Sequence, residues 1–133
     1  MSTPSDTWSY GLFIPHDPRA VGVVRAALRH ILDGAGLNCL TETAELMVSE
    51  LVTNSYQYAK TDAYVSVDRS PFDLTIAVWD TGPGVPARQS AGADEEYGRG
   101  LGIVAACADS WGVRDCPNGK AVWFTVTPKG NRR

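Results

Sequence analysis

Residues 50–54 read Glu-Leu-Val-Thr-Asn, which sets a carboxylate and a carboxamide four apart inside a helical, apolar run. Residues at that spacing share one helix face and reach a common ligand. An amide oxygen such as that of Asn54 can complete the shell of magnesium, an ion that takes a few protein oxygens together with water and phosphate oxygens. A carboxylate beside it, Glu50, can orient or deprotonate an attacking hydroxyl or water. Further on, "WDTGPGVP" (79–86) ends an apolar strand in Asp80, and Gly82 and Gly84 let the backbone turn sharply and approach a ligand. "GRGLGIV" (98–104) places Gly98, Gly100 and Gly102 at alternate positions, with Arg99 and Leu101 between them, and runs into an amphipathic helix. Successive N–H groups at such a helix start make an anion site, aided by the helix dipole.

Each signal has a plainer reading. Glu50 and Asn54 fit a solvated helical face, Asp80 fits a turn closed by its own side chain, and the glycines fit a helix cap packed on a sheet. The chemical reading gains from their order, which could build one pocket. Two familiar nucleotide motifs fail. Gly82-x-Gly84-x-x-Ala87 matches the dinucleotide fingerprint in form, but residues 87–97 carry no helical apolar stripe and no strand–helix–strand unit surrounds it. No G-x-x-x-x-G-K-[ST] occurs, which closes the phosphate-loop route.

The elements that must position these residues follow from periodicity. "WSYGLFI" (8–14) reads as a strand. A helix follows from Pro18, with Asp17 as N-cap, an apolar stripe through Val21, Val24, Ala27, Leu28 and Ile31, and a stop at Gly34 and Gly36. That stripe serves either the core or self-association. A second helix is expected from Thr41, as cap, to Ala59. "AYVSVDR" and "DLTIAVWD" alternate as a hairpin around Ser70-Pro71, and "GLGIVAACADSW" reads as a third helix. "WGVRDC", the turn "PNGK" and the strand "AVWFTVT" complete the chain. The order β-α-α-β-β-loop-α-β-β is not the alternation of a doubly wound fold. It predicts α+β, a mostly antiparallel sheet with helices on one face. Residues 81–98, rich in Gly, Pro and charge, form a loop of the length usually reserved for function.

The three segments "ELVTNSYQYA", "DTGPGVP" and "GRGLGIV", in that order, resemble the N-box and the two glycine boxes of the GHKL ATPase superfamily. The size, "MVSELVTN" and "PNGKAVWF" are similar to its small stand-alone anti-sigma-factor serine kinase (RsbW-like) branch, and the likeness runs from residue 18 to about Thr127. The resemblance implies a Bergerat-type two-layer α/β sandwich with a mixed, mostly antiparallel sheet, binding ATP and Mg2+. On it, Asn54 holds magnesium, Glu50 is the base acting on the acceptor hydroxyl, and Asp80 accepts the adenine amino group. Gly82 and Gly84 border base and ribose; Gly98, Arg99, Gly100, Leu101 and Gly102 wrap the phosphates; residues 85–97 form the lid. It further implies a homodimer, a sigma factor held inactive and an STAS-type anti-anti-sigma partner phosphorylated on serine. A non-catalytic ATP-binding regulatory module is the alternative. One departure stands out: relatives carry threonines after the glycine of the last hairpin to help fix adenine, whereas this chain reads Gly119-Lys120-Ala121. Thr125 is the hydroxyl on that strand that could substitute.

Composition agrees with a globular chain: 133 residues, 44% apolar and 20% charged, read as one domain, 1–133, with a short tail at 129–133. A net charge of −3 argues against direct nucleic-acid binding. No apolar run approaches the ~18 residues that span a bilayer, so no membrane partner is expected. No secretory signal is read, and Cys39, Cys107 and Cys116 lack C-x-x-C spacing, so a cytoplasmic protein with reduced thiols is the expectation.

Overall fold

The structure, a computed structural model, describes residues 7–81 and 102–128. Strand β1 (Trp8–Ile14) leads into helix α1 (Ala20–Gly34) and helix α2 (Asn38–Asn54), which continues into one π-helical turn (Ser55–Ala59). Strands β2 (Ala63–Arg69) and β3 (Leu74–Asp80) form a hairpin; a short helix α3 (102–107) and a hairpin of β4 (Ser110–Cys116) and β5 (Gly119–Val126) follow. The sheet order is β1-β2-β3-β5-β4. The α+β expectation holds, and every pairing among the described strands is antiparallel.

Period-two alternation decides which face is buried. Val65 and Val67 of β2, Leu74, Ile76 and Val78 of β3, and Val122, Phe124 and Val126 of β5 all enter one core. The helices supply the other wall through Val24, Leu28 and Leu32 of α1 and Met47, Val48 and Leu51 of α2. The apolar stripe of α1 is therefore core and not a free association face. On the other face of the sheet a register row runs Phe13, Tyr64, Trp79, Ala121, Arg114 across all five strands. Phe13 there is 74% exposed, so among the described residues nothing covers that end of the row.

The helix boundaries differ from expectation at their starts. Asp17 does sit at the entrance to α1, accepting from the Arg19 N–H at 2.8 Å, but the helix proper begins at Ala20. The Arg19 guanidinium beside it holds the Asp17 carboxyl down to about 2. The end of α1 is a glycine stop as predicted: Gly36 takes φ +77°, and the Leu37 N–H reaches back to the Leu32 carbonyl at 2.8 Å. Thr41 does not cap α2. The helix starts three residues earlier, at Asn38, and Thr41 is buried inside it. The Asp33 carboxylate provides the physical reason, because it accepts from Asn38 Nδ2 at 3.0 Å and from Thr41 Oγ1 at 3.4 Å and so ties the connection between the helices. A second tie crosses the helix pair: Arg29 donates to both oxygens of the buried Glu45, at 2.6 and 3.0 Å, and Arg25 lies 3.6 Å away. The Arg29 hydrogen bonds hold the Glu45 carboxyl below the usual carboxylate range.

Candidate functional site

The stripe Leu46, Glu50, Asn54, Tyr58 explains itself once α2 is placed against the sheet. Leu46 is exposed, Glu50 is half-buried and Asn54 is buried, so the stripe passes from solvent to interior as the helix nears its C-terminal end. At that end the helix widens. The Lys60 N–H bonds to the Ser55 carbonyl five residues back, at 3.3 Å, and Lys60 takes a left-handed conformation, φ 61°. Single π turns of this kind recur at functional sites. His16 braces the turn from the β1–α1 connection. Its Nε2–H donates to the Tyr56 carbonyl at 2.9 Å, its ring stacks on Tyr56 at 4.3 Å, and its N–H donates to Asp62 Oδ1 at 2.9 Å.

Asp80 closes β3 on the same side of the sheet as Leu74, Ile76 and Val78, the side that α2 and its π turn pack against. It is buried. Lys120, directly opposite on β5, donates from Nζ to Asp80 Oδ2 at 3.0 Å, with the two side chains only 2% and 3% exposed. Gly119 permits this approach, since a Cβ there would collide with the Asp80 carbonyl oxygen.

The structure thus brings Glu50, Asn54 and Asp80 to one side of the sheet. Gly102 is the exposed first described residue of α3. Gly82, Gly84, Gly98, Arg99, Gly100, Leu101 and the lid at 85–97 lie outside the described residues. Thr125 cannot replace the missing threonine, because it lies on the opposite face, 2.6 Å from Ser110 Oγ. Lys120 was not foreseen as a site residue, since the last strand was expected to begin at Ala121. The two-residue turn Pro117–Asn118 starts β5 at Gly119 instead. A signal existed: Lys120 is in phase with Val122, Phe124 and Val126, the buried set. A cavity of about 500 Å³ opens around the strand ends between Phe13, Tyr64 and Trp79, but neither Glu50 nor Asn54 lines it.

A magnesium ion with ATP fits the donor set on one observation. Among the described residues, buried Asn54 Nδ2 has no hydrogen-bond partner, and neither does the Ser55 hydroxyl next to it. Native folds rarely leave such groups unpaired. A carboxamide rotated by half a turn presents its oxygen in place of its nitrogen. Among the described residues no three His, Cys, Asp or Glu side chains gather into a ready-made metal cage. Magnesium held by one amide and by phosphate oxygens needs none.

A family model described as the histidine kinase-like ATPase domain matches residues 14–126. A search of curated proteins gives no match. Among solved structures, the RsbU and RsbW domains of a Mycobacterium tuberculosis protein are similar in fold, with TM-score 0.71 and 16% identity over 90% of this chain. This chain covers 32% of that one, so it corresponds to about a third of its length. Among the described residues no helix is long and apolar enough to cross a membrane. With the family model spanning both long helices and strands β2 to β5, the chain belongs to the histidine kinase-like ATPase domain family, within the GHKL superfamily.

Proposed function

We propose that this chain binds ATP with Mg2+ and acts as an anti-sigma factor and serine protein kinase, phosphorylating an STAS-type anti-anti-sigma partner and holding a sigma factor inactive. The observation that carries the reading is the buried Asn54 Nδ2, which has no hydrogen-bond partner among the described residues, on the side of the sheet that also buries Asp80. Asp80 is the acceptor for the adenine amino group. Glu50, one turn before Asn54 and half-buried, takes the proton of the attacking serine hydroxyl. Asn54 would hold magnesium, which when bound neutralises charge on the phosphates. Gly102 at the start of α3, with Gly98, Arg99, Gly100 and Leu101, wraps the phosphates, and Gly82 and Gly84 border the base and ribose. On this reading 1–133 is one domain with a lid at 85–97, working in the cytoplasm as a homodimer.

A non-catalytic ATP-binding regulatory module is the second reading. It is favoured by Lys120 standing where the kinase branch carries threonine. One experiment separates the readings: incubation with radiolabelled ATP, Mg2+ and each candidate STAS protein, with Asn54→Ala as control. Label on a partner serine, lost in the control, supports the kinase. ATP binding without transfer leaves the module. A non-hydrolysable ATP analogue at about 100 times its Kd should stabilise the fold by about 2.7 kcal/mol. No rise in Tm under those conditions removes both.

A further inference from the structure

Lys120 stands in a place that the fold alone does not call for. Every other inward position of β5, Val122, Phe124 and Val126, is apolar. Removing a charge from water is costly even when it is paired, and a buried ion pair is often no more stable than apolar residues of equal volume. The pair instead fixes a group. Gly119 lets the β5 backbone press against the Asp80 carbonyl, which sets where Lys120 begins. The Lys120 ammonium then holds Oδ2 of Asp80 at 3.0 Å. The carboxylate is thereby anchored through its backbone and through one of its oxygens.

A carboxylate that reads a purine edge must point its lone pairs at the amino hydrogens, and a buried one that can rotate reads poorly. Resting on the nucleotide reading above, we propose that Lys120 is a specificity-determining positioning residue: it orients the Asp80 carboxylate so that the site takes a 6-aminopurine nucleotide over a 6-oxopurine one. Lys120 acts through Asp80 and takes no part in phosphoryl transfer. A 6-oxo group presents an acceptor to the fixed carboxylate, and two facing acceptors repel. Sites built around a buried hydrogen bond discriminate by large factors when it is lost.

The test is calorimetric titration of the full chain with ATP and with inosine triphosphate, both with Mg2+. The wild type should prefer ATP by about tenfold or more. Lys120→Met, checked for folding by circular dichroism and melting, should bring the ATP-to-inosine-triphosphate ratio to within about threefold of unity. Lys120→Gln, which keeps an N–H donor but no charge, is the second variant and should fall between the two. A folded variant of either kind that keeps the wild-type ratio overturns the proposal, and so does failure of both to fold, which would make Lys120 structural. A wild type that binds neither nucleotide instead sinks the nucleotide reading itself, a result distinct from an unchanged ratio.

Discussion

At the scale of single residues, Glu50 and Asn54 should separate cleanly in experiment. Glu50→Ala removes a proton acceptor but no proposed ligand contact. Phosphoryl transfer should fall by about 10²–10⁴-fold, with ATP affinity by calorimetry close to wild type. Asn54→Ala should instead weaken binding of the Mg2+–ATP complex more than that of ATP with the metal chelated. A Glu50→Ala variant that transfers phosphate at the wild-type rate would remove Glu50 from its proposed role. Both residues were legible in the sequence because a polar pair in an apolar helix calls for a reason. Asp80 was legible as the polar end of a strand. Lys120 was not, because its significance lies in a partner 40 residues away, across a register that no local pattern shows.

At the scale of elements, the strands came through well since alternation directly reports which side is buried. The strands at 8–14 and 63–69 keep the bounds their pattern predicts. The helix starts were misjudged because capping residues compete: Asn38, Thr41 and Asp33 all meet at one turn, and only packing selects the winner. The π turn was illegible, since a bond to the fifth residue back has no compositional signature. Its closing residue yields a prediction. Lys60 pays for its left-handed conformation with about 1 kcal/mol, so Lys60→Gly should be neutral or raise stability by up to that amount in urea unfolding. The α1–α2 tie yields another. Glu45 has its carboxyl held below its ordinary value of 4.5, so the stabilisation is complete above that pH and fades as pH falls through the lower folded value. Arg29→Met should therefore lower Tm at pH 7, with the gap from wild type narrowing below pH 4.5.

At the scale of the whole molecule, one layer of helices over one sheet makes the consequences of substitution lopsided. Leu32 is fully buried between the layers, and Leu32→Ala should cost about 2–5 kcal/mol in chemical denaturation. Phe13, at the end of the row on the face away from the helices, is 74% exposed, and Phe13→Ser should leave Tm nearly unchanged. A large loss there would mean that the face is covered. The pleat has one more outcome. Trp79 precedes Asp80 and so projects through the sheet to the other side, with its indole N–H 3.4 Å from Ser66 Oγ and the Arg114 guanidinium 5.8 Å from its ring centre. An indole one peptide bond from the carboxylate proposed to accept adenine is a built-in optical probe. Titrating ATP should shift the protein's fluorescence, and Trp79→Phe should abolish most of that change while Trp8, Trp111 and Trp123 go on emitting.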